Sequence, residues 1–147
     1  ALLLCATPAM AKDVYGLWRT ASGTGLVKVA DCGPDYADGT MAGTPCGTIF
    51  SAAIPEGAPV TDTNNPNPNL RDQPLIGLTM LDGFEVANNG AWKRGRIYNP
   101  EDGKSYKSRI SVDEDDPNIL KVKGCVGPFC QTQRWTREEA QPASATP

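Results

Sequence analysis

Apolar and polar residues alternate with a period of two over much of the second half of the chain. From 106 to 113, one parity consists of Tyr106, Ser108, Ile110 and Val112, and the other of Lys107, Arg109, Ser111 and Asp113. From 120 to 126, Leu120, Val122, Gly124 and Val126 alternate with Lys121, Lys123 and Cys125. Because successive side chains of a strand point to opposite faces, this pattern predicts an antiparallel sheet with one buried and one solvated face.

Turn residues divide the chain into short segments. The 15 Gly and 13 Pro residues include turn pairs such as Asn89-Gly90 and Asp102-Gly103. No stretch holds an apolar helical stripe for three turns. We therefore predict about eight strands and no long helix. The predicted strands lie at 15–20, 26–30, 46–53, 75–86, 91–98, 104–113, 119–126 and 129–137.

The predicted strands follow one another through short links from residue 75 onward, which indicates a meander. Eight such strands can close into an all-β, antiparallel up-and-down β-barrel without exposed edges. A two-sheet β-sandwich is the alternative. Two longer segments interrupt the meander, one at 31–45 and one at 54–74. The second contains an Asn/Pro run at 64–69 that can be neither helix nor central strand.

The two ends of the chain differ in composition from its middle. Residues 1–11 are uncharged, mostly apolar, and end in Ala9-Met10-Ala11, which is typical of a signal peptide remnant. We expect export to the periplasm or the medium, with no membrane span after cleavage. Residues 12–137 are expected to form a single β-barrel domain. Residues 138–147, which are small, polar or Pro, are expected to form a disordered tail.

Removal of 1–11 would leave four cysteines, Cys32, Cys46, Cys125 and Cys130. If Gly127-Pro128 forms a two-residue hairpin tip, Cys125 and Cys130 face each other at a rung where the Cα atoms are about 4.5 Å apart. That pairing leaves Cys32 with Cys46. The two crossed pairings remain open. Neither spacing suits a zinc site or a redox dithiol, so both pairs are interpreted as structural disulfides.

Composition argues against several function classes. The chain has no His, which removes the commonest general base and zinc ligand. We find no catalytic residues, no metal site and no cofactor motif, and we expect a protein that is not an enzyme. The formal net charge of −3 argues against nucleic acid or an anionic membrane surface as the main partner.

Gly16-Leu17-Trp18 opens the first predicted strand, and Arg134-Trp135-Thr136-Arg137 closes the last. In a closed barrel these strands are neighbours, so an arginine could cover the Trp18 indole and close one end by a cation–π contact. This arrangement resembles the lipocalin pattern. An ordinary core position for Trp18 is the alternative.

A broader resemblance covers nearly the whole chain after residue 15. It rests on seven blocks in order: 16–18, 32–33, 46–49, 67–71, 75–78, 95–106 and 133–137. These blocks resemble an exported bacterial family, domain of unknown function family 2147. The resemblance implies a lipocalin-like β-barrel with no established reaction.

Polar side chains are most crowded in the block at 95–106. Arg94, Arg96 and Tyr98 share one face of their predicted strand. If that face points inward, the three side chains would form a pocket for a carboxylate or phosphate group, with Trp18 as a further candidate ligand-binding residue. The alternative places Gly95 and Ile97 inward and the arginines in water.

We arrive at two hypotheses. The first is a lipocalin-like binding protein whose barrel holds a small, partly apolar ligand, either apolar or anionic. The second is a cell-envelope interaction module, in which the loops at 31–45 and 54–74 bind another protein or a cell-wall polymer without a small ligand.

Overall fold

A computed structural model describes residues 13–138. Nine strands form one antiparallel sheet: β1 Gly16–Arg19, β2 Gly25–Asp31, β3 Pro45–Ala52, β4 Thr79–Asp82, β5 Glu85–Val86, β6 Trp92–Asn99, β7 Lys104–Val112, β8 Ile119–Val126 and β9 Phe129–Arg137. Three short 3₁₀ turns lie at Tyr36–Gly39, Pro68–Leu70 and Asn88–Gly90. Within this part of the chain, no helix is long and apolar enough to cross a membrane.

The sheet closes on itself. Its strand order is β4-β3-β2-β1-β9-β8-β7-β6-β5, and β4 also pairs with β6. The result is a closed eight-stranded antiparallel barrel with the short β5 as an extra strand, as predicted, rather than a two-sheet sandwich. Closure leaves few unpaired edges for other chains to extend.

The segment predicted as one strand at 75–86 is two shorter strands. β4 and β5 both pair along the same edge of β6, with Leu81 opposite Ile97 and Glu85 opposite Lys93. Gly83, with φ of 76°, breaks the strand between them. Residues before 79 form a turn in which Gly77 has φ of 90°. Because positive φ departs from extended backbone, neither glycine can continue a strand.

The predicted alternation identifies the core. The buried hydrophobic cluster consists of Val14, Trp18, Val27, Val29, Leu81, Phe84, Ile110, Val112, Leu120, Val122 and Trp135. Val126 shares their parity but is 60% exposed. The reason is that β1 pairs with β9 only at Thr136 and Arg137, so the β8–β9 hairpin extends past the paired part of β1.

One end of the barrel is closed by the predicted cation–π contact. The Arg137 guanidinium carbon lies 4.2 Å from the centroid of the Trp18 ring. Arg137 also donates hydrogen bonds to the backbone carbonyls of Tyr15, Asp13 and Pro117. Trp18, fully buried, donates its indole N–H to the carbonyl of Val14. The first and last strands are thereby joined across the seam of the barrel.

Both expected disulfides form. Cys125 lies opposite Cys130 in the β8–β9 register, and their sulfur atoms are bonded at 2.04 Å. Cys32 is bonded to Cys46, which closes the loop between β2 and β3. The two crossed pairings are therefore wrong.

The terminal segments are described only in part. Residues 1–11, the expected signal peptide remnant, lie outside the described residues, as do 139–147 of the expected tail. Glu138, the first residue of that expected tail, donates its backbone N–H to Leu17 and accepts a hydrogen bond from Arg19 at 3.1 Å.

Candidate functional site

The polar side chains of β4 and β6 point away from the barrel core. Leu81 and Ile97 face each other on the inner side, so Asp82 and Arg96, the next pair in the register, face each other on the outer side. Tyr98 has the same parity as Arg96. The inward pocket is therefore wrong, and the alternative with Gly95 and Ile97 inward is confirmed.

Gly95 is inward because an aromatic ring occupies the space beside it. A Cβ atom on Gly95 would lie 2.2 Å from Cδ1 of Phe84. Phe84 follows the break at Gly83 and is 4% exposed. The Phe84 ring thus packs directly on the β6 backbone, and any side chain at residue 95 would displace it. This contact fixes Gly95 on the inner face of β6. Because side chains alternate along a strand, it also fixes Arg96 on the outer face.

Asp82 and Arg96 form a two-point ion pair on the outer face. Nε of Arg96 donates to Oδ1 of Asp82 at 3.0 Å, and Nη2 donates to Oδ2 at 3.2 Å. The Tyr36 hydroxyl donates to the same Oδ2 at 2.5 Å, and Nη1 of Arg96 donates to Ser105 Oγ at 3.2 Å. The Asp82 side chain is 6% exposed and that of Arg96 is 45% exposed. The guanidinium therefore neutralises the carboxylate, while one side of the guanidinium remains open to solvent.

The Tyr36 hydroxyl is held in its protonated form. Its pKa is raised by burial and then by the hydrogen bond to Asp82. The pKa of Arg96 is also raised, first by its hydrogen bond to Asp82. Tyr36 lies in the loop between β2 and β3, which the Cys32–Cys46 disulfide closes at its base. That loop is thus joined to the outer face of β4.

A second buried carboxylate connects the 53–78 segment to β6. Asp62 is fully buried and has no cationic partner among the described residues. Its Oδ1 accepts from the Tyr98 hydroxyl at 2.8 Å, and its Oδ2 accepts from the side-chain amides of Asn65 and Gln73 at 2.8 and 3.2 Å. Three neutral donors replace the water that a buried carboxylate loses.

The surroundings of Tyr98 raise the pKa of its hydroxyl. Burial, followed by the hydrogen bond and charge of Asp62, raises the pKa of Tyr98 to about 12. The phenol is therefore neutral at physiological pH and serves as a hydrogen-bond donor. It cannot act as a base there.

The Asn/Pro run is ordered by hydrogen bonds within the chain. The side chains of Asn65 and Asn67 accept from the backbone N–H groups two residues further on. The Asn64 amide donates to the carbonyls of Pro100 and Glu101, at the tip of the β6–β7 hairpin. At Gly103 a Cβ atom would lie 2.0 Å from the Asn64 carbonyl oxygen, so only glycine permits this approach.

A groove lies between the Tyr36 loop and the Asn/Pro segment. Its volume is about 380 Å³. It is lined by Tyr36, Asn65, Pro66, Leu70, Gln73, Gly77, Leu78, Thr79, Arg96, Tyr98 and Ser105. We call it the outer groove. A second pocket of about 290 Å³, lined by Val86, Ala87, Asn88, Lys93 and Arg109, also lies on the outer surface.

The four predicted ligand-binding residues separate into two groups. Arg96 and Tyr98 line the outer groove. Arg94 does not, because the β-bulge between Trp92 and Gly95 gives it φ of 55° and turns it toward Glu85, 3.6 Å away. Trp18 lies in the core under Arg137.

Sequence reasoning missed Tyr36, which lines the groove, and the two buried carboxylates that hold groove residues in place, Asp62 and Asp82. Asp82 ends an apolar strand and could have been found as an acid in a buried position. Asp62 lies in a segment rich in Asn, Pro and Thr, where an acidic residue is ordinarily solvated, so nothing in the local sequence marks it as buried. Within residues 13–138, no group of three or more His, Cys, Asp or Glu is placed to hold a metal ion.

The fold defines a class of protein. The closed barrel, with its first-strand Trp under a last-strand Arg, is lipocalin-like. It is similar to a solved structure described as "Protein HP1028 from the human pathogen Helicobacter pylori belongs to the lipocalin family". The two chains are 20% identical, with a TM-score of 0.69, and the match covers 90% of this chain and 88% of the other.

The chain belongs to the family described as "Uncharacterized protein conserved in bacteria (DUF2147)", whose model matches residues 16–137. The resemblance seen in the sequence is confirmed. No curated protein matches the chain. Two of the blocks that carry the resemblance, 67–71 and 95–106, meet at the outer groove.

Proposed function

We propose that this chain is an exported, non-enzymatic binding protein that holds a small, partly apolar ligand in the outer groove. The observation that carries the proposal is the half-exposed guanidinium of Arg96, which is fixed by Asp82 in a groove lined by both polar and apolar side chains. A fixed polar anchor beside apolar surface in a concavity is the usual form of a small-molecule site.

The groove chemistry favours a ligand without net charge. Asp82 already neutralises Arg96, so an additional anion would gain little. Three of the five guanidinium N–H groups are used by Asp82 and Ser105, and the other two can donate to a carbonyl or hydroxyl of a ligand. Leu70, Leu78 and Pro66 offer an apolar surface beside them.

The proposed site lies on the outer side of the sheet and not in the barrel interior. Trp18 and Trp135 are both fully buried within the barrel, together with nine further core residues. Both pockets described above lie on the outer surface. The proposed site therefore uses the loops that the barrel supports.

Periplasmic or secreted localisation belongs to the same proposal. The two disulfides are compatible with an oxidising compartment.

The groove can be tested with a neutral, partly apolar probe, N-phenyl-1-naphthylamine, followed by amide chemical shifts in NMR. We expect the shifts to concentrate in residues 65–79 and 96–105. Leu70→Ser should weaken binding, whereas Val86→Ser, the same kind of change at an exposed residue of the second pocket, should not. Shifts centred on core strands such as those of Val29 and Val122, or no binding, would overturn the proposal.

A second candidate is an envelope interaction module without a small ligand. It is supported by three exposed apolar side chains in the 53–78 segment: Val60, Leu70 and Ile76, which are 61%, 42% and 48% exposed. A photo-crosslinking residue at Ile76, compared with one at Val86, tests it in envelope extracts. A discrete crosslinked protein from position 76 alone would support this candidate, and identical products from both positions would contradict it.

A further inference from the structure

Charge is segregated along this chain. Strands β6–β9 carry ten of its 14 Lys and Arg residues and none of its 17 Asp and Glu residues. The net charge of −3 therefore conceals a strongly cationic half of the barrel. The net charge of −3 argued against an anionic membrane surface as the main partner, but a total charge says nothing about how the charges are distributed.

The strand register places like charges directly opposite one another. Arg96 faces Lys107, Arg109 faces Lys123, and Lys121 faces Arg134, all on the outer side of the sheet. Opposed like charges destabilise a sheet. An arrangement that is unfavourable for folding is often retained for binding.

Only part of this charge is neutralised within the molecule. Among residues 13–138, the ion pairs on these strands join Arg94 to Glu85, Arg96 to Asp82 and Arg134 to Asp113. The other seven cations of these strands take part in none of the ion pairs. Of these, Arg137 covers Trp18 and Lys104 begins β7 at the hairpin turn. We call the remaining five the cationic face: Lys93, Lys107, Arg109, Lys121 and Lys123.

Exposed apolar side chains lie at the end of the same strands. Val126 and Phe129 flank the tip of the β8–β9 hairpin and are 60% and 79% exposed. The Cys125–Cys130 disulfide joins the two strands directly behind them. Lys107 lies opposite Cys125, one rung from the tip, on the outer side of the sheet. Val126 and Phe129 have the core parity and leave the hairpin on its other side, where they are exposed because the hairpin extends past the paired part of β1.

We propose that the cationic face docks this barrel on an anionic phospholipid surface, with the Val126/Phe129 tip entering the interface between headgroups and acyl chains. Basic residues next to an exposed aromatic are the combination that binds such membranes. The outer positions of β7–β9 carry Lys, Arg, Ser, Thr, Ile and Cys side chains and no aromatic ring on which bases could stack. Nucleic acid is accordingly the less favoured polyanion.

The test is flotation of the disulfide-bonded protein with two kinds of vesicle. One contains phosphatidylglycerol in phosphatidylcholine, and the other contains phosphatidylcholine alone. We expect binding to the first only, and loss of that binding at about 1 M salt, where the Debye length falls to about 3 Å.

Matched variants separate a specific face from total charge. Lys123→Glu should lower partitioning about tenfold, because each basic residue near an anionic surface contributes separately. Lys28→Glu changes net charge equally on the exposed side of β2 and should leave partitioning within about twofold. Phe129→Ser should also lower partitioning about tenfold without changing charge.

Three outcomes would overturn the proposal. They are equal binding to phosphatidylcholine alone, equal losses from the Lys123 and Lys28 variants, and tighter binding to a duplex DNA oligonucleotide than to the anionic vesicles.

Discussion

Arg96 and Asp82 lie directly opposite each other on β6 and β4, and the guanidinium donates to both oxygens of the carboxylate. Their pairing takes place where β6 exchanges one neighbour, β5, for another, β4. The same carboxylate receives Tyr36 from the loop between β2 and β3. One buried acid thus joins two strands and a loop at the floor of the outer groove.

Removing the cation should therefore destabilise the fold. Arg96→Met leaves the buried Asp82 carboxylate with Tyr36 as its remaining side-chain donor. We expect the free energy of unfolding to fall by about 1–3 kcal/mol, the cost of a buried acceptor that loses its partner. Urea denaturation measures this change.

The matched control is Glu85→Gln, which removes the exposed ion pair with Arg94, whose side chain is 72% exposed. Its effect should stay below about 0.5 kcal/mol. Equal effects of the two variants would show that the Asp82–Arg96 pair contributes no more than a surface contact.

Gly95→Ala should be among the most damaging single changes in β6. The added methyl group would overlap the Phe84 ring at 2.2 Å, and β6 is paired on both sides and cannot move away. We expect a loss of about 2–3 kcal/mol, in the range of overpacked cores. Gly124→Ala, whose new methyl would meet its nearest neighbour at 3.7 Å, is the control and should be tolerated.

A double variant identifies the cause. If Phe84→Leu is added to Gly95→Ala, part of the lost stability should return, because the smaller side chain makes room. Purely additive losses would show that the cost arises elsewhere.

Alkaline pH should weaken the fold through Tyr98. Its pKa is raised to about 12, above the unfolded value of 10.0, so the stabilisation is fully present below pH 10. It is lost as pH rises toward 12, since the unfolded chain releases the proton first. Ultraviolet titration of phenolate should show a late-titrating tyrosine that Tyr98→Phe removes. Tyr106→Phe, which removes only an exposed hydrogen bond to Asp102, should leave that late step in place.

The two disulfides should differ in their contribution. Cys32 and Cys46 are separated by 14 residues, and Cys125 and Cys130 by only 5. Because the unfolded chain loses more entropy when a longer loop is closed, replacing the first pair by Ser should cost about 3 kcal/mol and the second about 2 kcal/mol. Thermal unfolding of the two double variants provides the comparison. The reverse order would indicate that the β8–β9 hairpin needs its disulfide for more than chain entropy.

Much of the barrel could be predicted from local pattern. The alternation at 106–112 identified a buried face because strand geometry repeats every two residues whatever the rest of the chain does. The hairpin at Gly127-Pro128 placed Cys125 opposite Cys130 for the same local reason. A contact between Trp18 and an arginine of the last strand could also be predicted, since barrel closure makes the first and last strands neighbours.

The candidate site depended on contacts between distant segments. Alternation showed that Arg96 and Tyr98 share a face, but periodicity alone cannot say which face is the inner one. Phe84 and Gly95 decided that question through packing.

Local sequence thus determined most of the strands and the Cys125–Cys130 pairing, because hairpin pairing and side-chain alternation follow from short-range geometry. It favoured the barrel over the sandwich, and the long-range pairing of β1 with β9 and of β4 with β6 decided between them. Only the tertiary structure decided where the polar groups lie. Asp62 accepts a hydrogen bond from Tyr98, 36 residues away, and Asp82 accepts one from Tyr36, 46 residues away. A buried carboxylate needs hydrogen-bond donors, and only the fold decides which donors lie beside it.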